Sequence, residues 1–162
     1  MDKEFYEINK DILENSKFNE LKKYKHHGIT RYEHCLKVAY YTYRVTRKRN
    51  KNYKEVTRAA LLHDFFTDEV ENLSSFKRFY SHPKHAIENS KKYFNISKLQ
   101  EDIIKSHMFP IGLTVPKHKE SWLVDLIDDY SAVVERLSSF KLKLATTSTF
   151  LIMSILNFIK MR

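Results

Sequence analysis

A histidine followed directly by an aspartate, His63-Asp64, ends an apolar run of helix-forming residues, Ala59-Ala60-Leu61-Leu62. Val56 and Ala59 precede His63 by seven and four positions, so at 3.6 residues per turn they share its helix face. An imidazole and a carboxylate on a buried face are costly unless they are paired or bind a metal. Taken alone, the dipeptide is compatible with a structural pair as well as with a metal site.

Further residues of ligand type have apolar neighbours at helical spacing or stand at a helix boundary. Asp128, for example, follows Val124 and precedes Ala132 by four positions each, which places its carboxylate on an apolar face. A lone inward histidine is more often hydrogen-bonded in a core than bound to a metal. Ligand-type residues on five segments of one chain favour a shared metal site. They are His34, His63, Asp64, His82, His107 and Asp128.

Length and composition indicate one mostly α-helical domain. The 162 residues include only two glycines and three prolines, and apolar residues recur at helical spacing. The single cysteine, Cys35, excludes an internal disulfide and fits a reducing compartment. The charged segment that begins with Met1–Glu4 has no apolar stretch, so no signal peptide is expected. These features predict a cytoplasmic protein.

The formal net charge of +9 is compatible with nucleic acid, an anionic membrane surface or a phosphorylated substrate as partner. Most lysines are scattered along the chain, and the one basic run, Arg44–Lys54, has the composition of a solvated helix end and its loop. We therefore do not expect nucleic-acid binding through this run.

The apolar periodicity predicts the elements that must position the ligand-type residues. In the first half, a helix or a pair of helices broken near Asn15-Ser16 is expected over about 3–25. Further helices are expected over about 30–49 and 53–64, with a turn at His26-His27-Gly28. Thr30, with Glu33 three residues later, has the pattern of a capping box. Residues 65–82 are expected to form a loop with a short helix.

In the second half, Pro83 suits the first turn of a helix over about 83–93. Helices are also predicted over about 97–108 and 120–137, followed by a linker at Ser138-Ser139 and a last helix. The fold class predicted is all-α, a single-domain bundle of about six to eight helices. It comprises an N-terminal helical extension (1–27), a main part (28–137) and a hydrophobic C-terminal helix (138–162).

The order of the ligand-type residues resembles that of the HD-domain superfamily of metal-dependent phosphohydrolases. Arg31–Ala39 is similar to the helix with the family's first ligand, Ala59–Asp64 to its signature helix, and Trp122–Asp128 to the helix with the final aspartate. His82-Pro83 and His107 fall where binuclear members carry two extra histidine ligands. The resemblance covers residues 28–137 and implies a small, single-domain HD phosphohydrolase.

By this resemblance, one metal is held by His34, His63, Asp64 and Asp128, and Asp64 bridges to a second metal held by His82 and His107. Histidine and carboxylate ligands suit Fe, Mn, Ni, Co or Zn, and suit Mg²⁺ less well. The implied reaction is hydrolysis of a phosphomonoester or phosphoanhydride of a nucleotide-like small molecule by metal-activated hydroxide, with Asp64 and His63 as catalytic residues. Two alternatives stay open: symmetrical hydrolysis of dinucleoside polyphosphates, and a non-catalytic module that binds a nucleotide or nucleic acid.

The chain departs from the family directly after the His-Asp pair. Many relatives carry a small and then a basic residue there, whereas this chain has Phe65-Phe66, which predicts a more apolar cavity mouth. Arg31, three residues before His34 on the same helix face, is a candidate to clamp a phosphate or a carboxylate of the substrate. The other substrate-binding candidates are Lys84, His85 and Lys105, and Asp125 and Asp129 are rivals of Asp128 as the final ligand.

The segment Leu144–Ile159 has no charged residue. Its 16 residues fall short of the roughly 20 apolar residues that a transmembrane helix needs, so no transmembrane span is expected. A helix that packs on the core or forms a homodimer is predicted, with peripheral membrane contact as the alternative.

Overall fold

A computed structural model describes the backbone of residues 2–26, 28–67 and 74–160, and their side chains except those of residues 26, 75, 76, 78, 79 and 143–160. This part of the chain folds mainly into helices, which confirms the all-α prediction. The helices are α1 (Lys3–Leu13), α2 (Ser16–Asn19), α3 (Arg31–Thr46), α4 (Tyr53–Leu62), α5 (Ser75–Tyr93), α6 (Lys98–Ser106) and α7 (Lys119–Lys160). A 3-10 turn (Glu20–Lys23) and a short antiparallel hairpin, β1 (Lys25–His26) and β2 (Ile29–Thr30), link α2 to α3.

The core forms around α4, whose buried face consists of small and aliphatic side chains. Residues 59–62 are all 0 % exposed, and the small alanines allow neighbouring helices to approach closely. Helix α4 contacts α3 and α6, and α7 contacts these same two helices. Phe5 and Ile12 of α1 belong to the same hydrophobic cluster. The ends of α4 and α6 and the inner faces of α3 and α7 therefore meet in one region.

Local signals place the start of α3 as the sequence predicts. The Thr30 hydroxyl accepts a hydrogen bond from the Glu33 backbone, and the Glu33 carboxylate accepts one from the Thr30 backbone at 2.7 Å. This capping box fixes the register of α3, and with it the direction in which His34 points. Cys35, expected in the core, is 0 % exposed.

Two helix boundaries differ from prediction. Helix α5 begins at Ser75 and carries Pro83 inside it, so His82 lies within a helix and not at its start. Buried residues continue at helical spacing across the proline, at His82, Ala86 and Asn89, and this packing outweighs the cost of about 3 kcal/mol for an internal proline. The predicted linker at Ser138-Ser139 is also wrong, because α7 runs unbroken to Lys160.

The apolar C-terminal segment is helical in its backbone, as predicted. No helix in the described parts of the chain is both long and apolar enough to cross a membrane. The side chains of residues 144–159 lie outside the described part of the structure, so their packing on the core stays a prediction.

Gly28, at the hairpin turn, combines a backbone conformation that favours glycine with a close approach to α7. Gly28 has a φ of 95°, and a Cβ placed there would lie 2.8 Å from Oγ of Ser139. We expect Gly28→Ala to lower the free energy of unfolding by about 1–3 kcal/mol, from backbone strain and overpacking together. Denaturant unfolding measures this loss. In a Ser139→Gly background the same change should cost less, and an equal cost would contradict the contact with α7.

Candidate metal centre

The His63-Asp64 pair lies in the turn directly after α4. The helix ends at Leu62, the last residue of its apolar run and two residues before the predicted end, and His63 is its C-cap. Nδ1 of His63 donates a hydrogen bond to the Ala60 carbonyl at 2.7 Å. Nε2 therefore faces the interior as the nitrogen that is free to bind a metal when the ring is neutral.

His107 repeats this arrangement at the end of α6. It is the C-cap after Ser106, and its Nδ1 donates to the Ile104 carbonyl at 2.7 Å. Its Nε2 lies 2.9 Å from Nε2 of His82 on α5. Oδ1 of Asp64 lies 3.3 Å from the His82 nitrogen and 3.5 Å from the His107 nitrogen. Two histidines and one carboxylate thus converge from three separate segments.

On the other side of Asp64, His34 of α3 faces α7. Its Nε2 lies 2.8 Å from Oδ1 of Asp128, and the same oxygen lies 3.4 Å from Nε2 of His63. The second nitrogen of His34, Nδ1, lies 3.0 Å from Oε2 of Glu135, which is 4 % exposed. A carboxylate on the far nitrogen of a histidine orients the ring and raises its basicity as a ligand.

Among the described residues, three groups have ligand atoms within 4.8 Å of one another. One group is His34, His63 and Asp64, and another is Asp64, His82 and His107, so Asp64 belongs to both. The third group, His63, His107 and Asp128, crosses between them. The structure therefore brings together all six ligand-type residues that the sequence singled out.

The donor set fits divalent metal ions. Nε2 of His63 and Oδ1 of Asp64 are buried and have no hydrogen-bond partner among the described residues. A buried polar atom without a partner is costly, and coordination to a metal removes that cost. Imidazole nitrogens mixed with carboxylate oxygens suit Fe, Mn, Ni, Co or Zn.

Proximity of opposite charges shifts the pKa values of these groups. Burial alone would lower the pKa of His34, but its hydrogen bonds with Asp128 and Glu135 raise the pKa to about 10. Burial would raise the pKa of Asp64, but the neighbouring charges of His63, His82 and His107 hold it well below its usual range. The pKa of Asp128 is likewise held low, against the effect of burial, by His63 and His34. The raised pKa of His34 and the lowered pKa values of Asp64 and Asp128 thus have the same cause, the close approach of imidazole and carboxylate groups in a buried cluster.

The His34 pKa predicts how the metal-free protein responds to alkaline pH. Because the folded-state pKa of about 10 exceeds the ordinary value of 6.5, protonation of His34 stabilises the fold fully below about pH 6.5. This contribution, on the order of a few kcal/mol, is lost as the pH rises through 10. We expect the Tm difference between chelator-treated wild type and His34→Gln to shrink from pH 7 to 10.5. A constant difference would contradict the pairing.

A cavity of about 430 Å³ opens over the ligand cluster. Its floor includes His34, Asp64, His82, His107 and Asp128. Its walls carry three cationic side chains, the Asp129 carboxylate and several apolar side chains. The cations are Lys25, Arg31 and Arg136, and the apolar residues are Phe66, Met108, Ile111, Ala132 and Val133. A cavity with metal ligands below, cations at the side and an apolar lip can accommodate a phosphate joined to an apolar group.

Of the predicted substrate-binding residues, the structure brings only Arg31 into this cavity. Arg31 is 2 % exposed, donates to the Phe66 carbonyl at 3.0 Å and stacks on the Phe66 ring at 3.7 Å. Lys84 and Lys105 line a separate depression, and His85 lies 3.4 Å from the Glu88 carboxylate. Their predicted contact with substrate receives no support from this arrangement.

The three neighbouring aspartates of α7 have different surroundings. Asp128 is 7 % exposed and joins the ligand cluster. Asp129 is exposed at the cavity wall. Asp125 is buried but belongs to none of the three ligand groups, and burial together with Asp129 raises its pKa to about 7. The geometry thus favours Asp128, as the sequence resemblance did.

Sequence reasoning missed three residues of this region. Glu135 lies seven positions after Asp128, two turns along α7, so its helical spacing was a signal that could have found it. Lys25 and Arg136 reach the cavity from the hairpin and from α7. No sequence pattern connected Lys25 with the cavity, because the position of its hairpin beside the cavity depends on tertiary packing.

Comparison with known proteins agrees with this geometry. Searches of curated proteins and of solved structures found no match. The family model of the HD domain matches residues 31–133, which is more than half of the chain and includes all six ligand-type residues. HD domains are generally metal-dependent hydrolases that act on phosphate compounds. The chain belongs to the HD domain family.

Proposed function

We propose that this protein is a metal-dependent phosphohydrolase that cleaves a phosphomonoester or phosphoanhydride of a nucleotide-like small molecule. The observation that carries the proposal is the convergence of six buried ligand-type residues, five of which line the floor of a cavity with three cations in its walls. A cavity built only to bind an anion has no use for two buried carboxylates and four buried histidines converging beneath it.

In this proposal, His34, His63, Asp64 and Asp128 hold one ion, and Asp64, His82 and His107 hold a second. Metal ions held by these residues would supply positive charge near the phosphoryl group and would lower the pKa of a bound water molecule. Nε2 of His63 and of His107 is directed inward by the carbonyl that each ring's Nδ1 contacts. The protein thus orients its ligands before any ion binds, and this preorganisation reduces the cost of binding.

The cationic walls bind the substrate. Arg31 is held in a single orientation by Phe66, so its guanidinium presents a defined set of donors to a phosphate. Lys25 and Arg136 provide further positive charge at the wall. The apolar lip of Phe66, Met108 and Ile111 contacts the non-phosphate part of the substrate, such as a nucleobase.

A phosphatase screen tests this proposal. Purified protein loaded with Mn²⁺, Fe²⁺, Co²⁺ or Ni²⁺ is assayed for release of phosphate from nucleoside monophosphates, nucleoside triphosphates and dinucleoside polyphosphates. We expect metal-dependent release from at least one class, and the products identify which bond is cut. Protein that binds no metal, or that binds metal and a nucleotide without hydrolysis, would overturn the enzymatic proposal.

A further inference from the structure

Helix α7 carries a row of large apolar side chains exposed to solvent. Leu126, Tyr130, Val133, Leu137 and Phe140 are 67, 62, 55, 55 and 65 % exposed. We call these five residues the α7 seam. Their spacing of 4, 3, 4 and 3 positions is the a/d pattern of a coiled coil. Such a row is the contact surface that one helix presents to another.

The seam lies opposite the face of α7 that packs on the domain. Val124, Asp128, Ser131 and Glu135 are buried and point to α3, α6 and the ligand cluster. At 100° per residue, the seam is centred about half a turn away from these residues. An apolar surface of this extent is rarely left exposed on a monomeric protein and marks an interaction site.

We propose that the α7 seam pairs with the α7 seam of a second copy of this chain, with the two helices antiparallel. The five side chains expose about 600 Å² per protomer, at roughly 100–150 Å² each. With Trp122 and Val134 at its edges, 46 and 39 % exposed, the apolar area available to a partner approaches the roughly 800 Å² that each side of a standard stable interface buries. A second copy needs no other complementary surface, because the seam is self-complementary under twofold symmetry.

The charges beside the seam select the antiparallel direction. When Tyr130 faces the partner's Val133, Leu126 faces the partner's Leu137, and Asp129 lies beside the partner's Arg136. Symmetry repeats this ion pair, so two opposite-charge pairs flank the apolar layers. A parallel in-register pair would instead place Arg136 next to the partner's Lys141, and two exposed cations would repel.

This interface adjoins the candidate metal centre. Asp129, Val133 and Arg136 line the cavity as well as belonging to the seam or its flank. The partner helix would thus lie along one rim of each cavity. The pairing goes beyond the proposed function and does not depend on it, since metal and substrate take no part in it.

Sedimentation equilibrium of the full chain tests the pairing. We expect the wild type to be a dimer and Leu137→Glu to be a monomer with unchanged helical circular dichroism. Val45→Glu is the matched control, because Val45 is 51 % exposed on α3, outside the seam, and this variant should stay dimeric. A monomeric wild type, or a dimeric Leu137→Glu, would overturn the proposal.

Cross-linking tests the direction of the helices. Asp129→Cys chains and Arg136→Cys chains are treated with a short bis-maleimide, separately and after mixing. The native Cys35 is 0 % exposed and does not react. The antiparallel pair predicts covalent dimers chiefly in the mixture. Efficient cross-linking of each variant by itself, or none in the mixture, would overturn this arrangement.

Discussion

Asp64→Asn is expected to remove bound metal from the protein and to lower the proposed phosphatase activity at least about a thousandfold. Asp64 is the residue that the two proposed metal groups share, and its Oδ1 lies 3.3 and 3.5 Å from the nitrogens of His82 and His107. An amide carries no charge and binds divalent ions weakly. Metal ions stabilise the transition state by several kcal/mol, and losing about 4 kcal/mol of this stabilisation lowers the rate about a thousandfold.

Metal content per chain and the rate of phosphate release measure the two effects of Asp64→Asn. Asp11→Asn is the matched control, because Asp11 binds Arg58 at the surface and should keep both metal and activity at wild-type levels. Circular dichroism shows whether each variant is folded. If Asp64→Asn retains two equivalents of metal and full activity, the shared role of this carboxylate is wrong.

Glu135→Ala is expected to weaken metal binding by about 10- to 100-fold, the usual effect of losing a carboxylate behind a histidine ligand. Oε2 of Glu135 lies 3.0 Å from Nδ1 of His34, and Oε1 lies 3.4 Å from Nζ of Lys37. Without the carboxylate, the His34 ring loses its orientation, and Nε2 is no longer directed at the cluster.

A metal titration, followed by calorimetry or by competition with a chromophoric chelator, measures the affinity of each Glu135 variant. Glu135→Gln should retain more affinity than Glu135→Ala, since its carbonyl oxygen still accepts from Nδ1 of His34. Glu88→Gln is the control on an exposed glutamate away from the centre. Equal affinities of Glu135→Ala and the wild type would show that His34 needs no positioning by this residue. Equal losses in both Glu135 variants would assign the effect to charge rather than to orientation.

The helical pattern predicted most of the fold, because its signals are local. The capping box at Thr30 and Glu33 and the apolar face before His63 are contained within one or two turns of chain. Prediction was wrong where a distant contact outweighs a local preference. Pro83 lies inside α5 because the buried face continues across it, and α7 passes through Ser138-Ser139 without a break.

The sequence by itself determined which residues are available as metal ligands, since imidazole and carboxylate groups on apolar helix faces are costly to leave unpaired. Only the tertiary structure decided how they are combined. It placed Asp64 between two histidine groups, brought Asp128 rather than Asp125 into the cluster, and set Glu135 behind His34. It also directed Lys25, Arg31 and Arg136 to the cavity, and left Lys84 and Lys105 at another depression. These outcomes depend on contacts between segments up to about a hundred residues apart, such as His34 and Glu135 with a separation of 101, which no local pattern records.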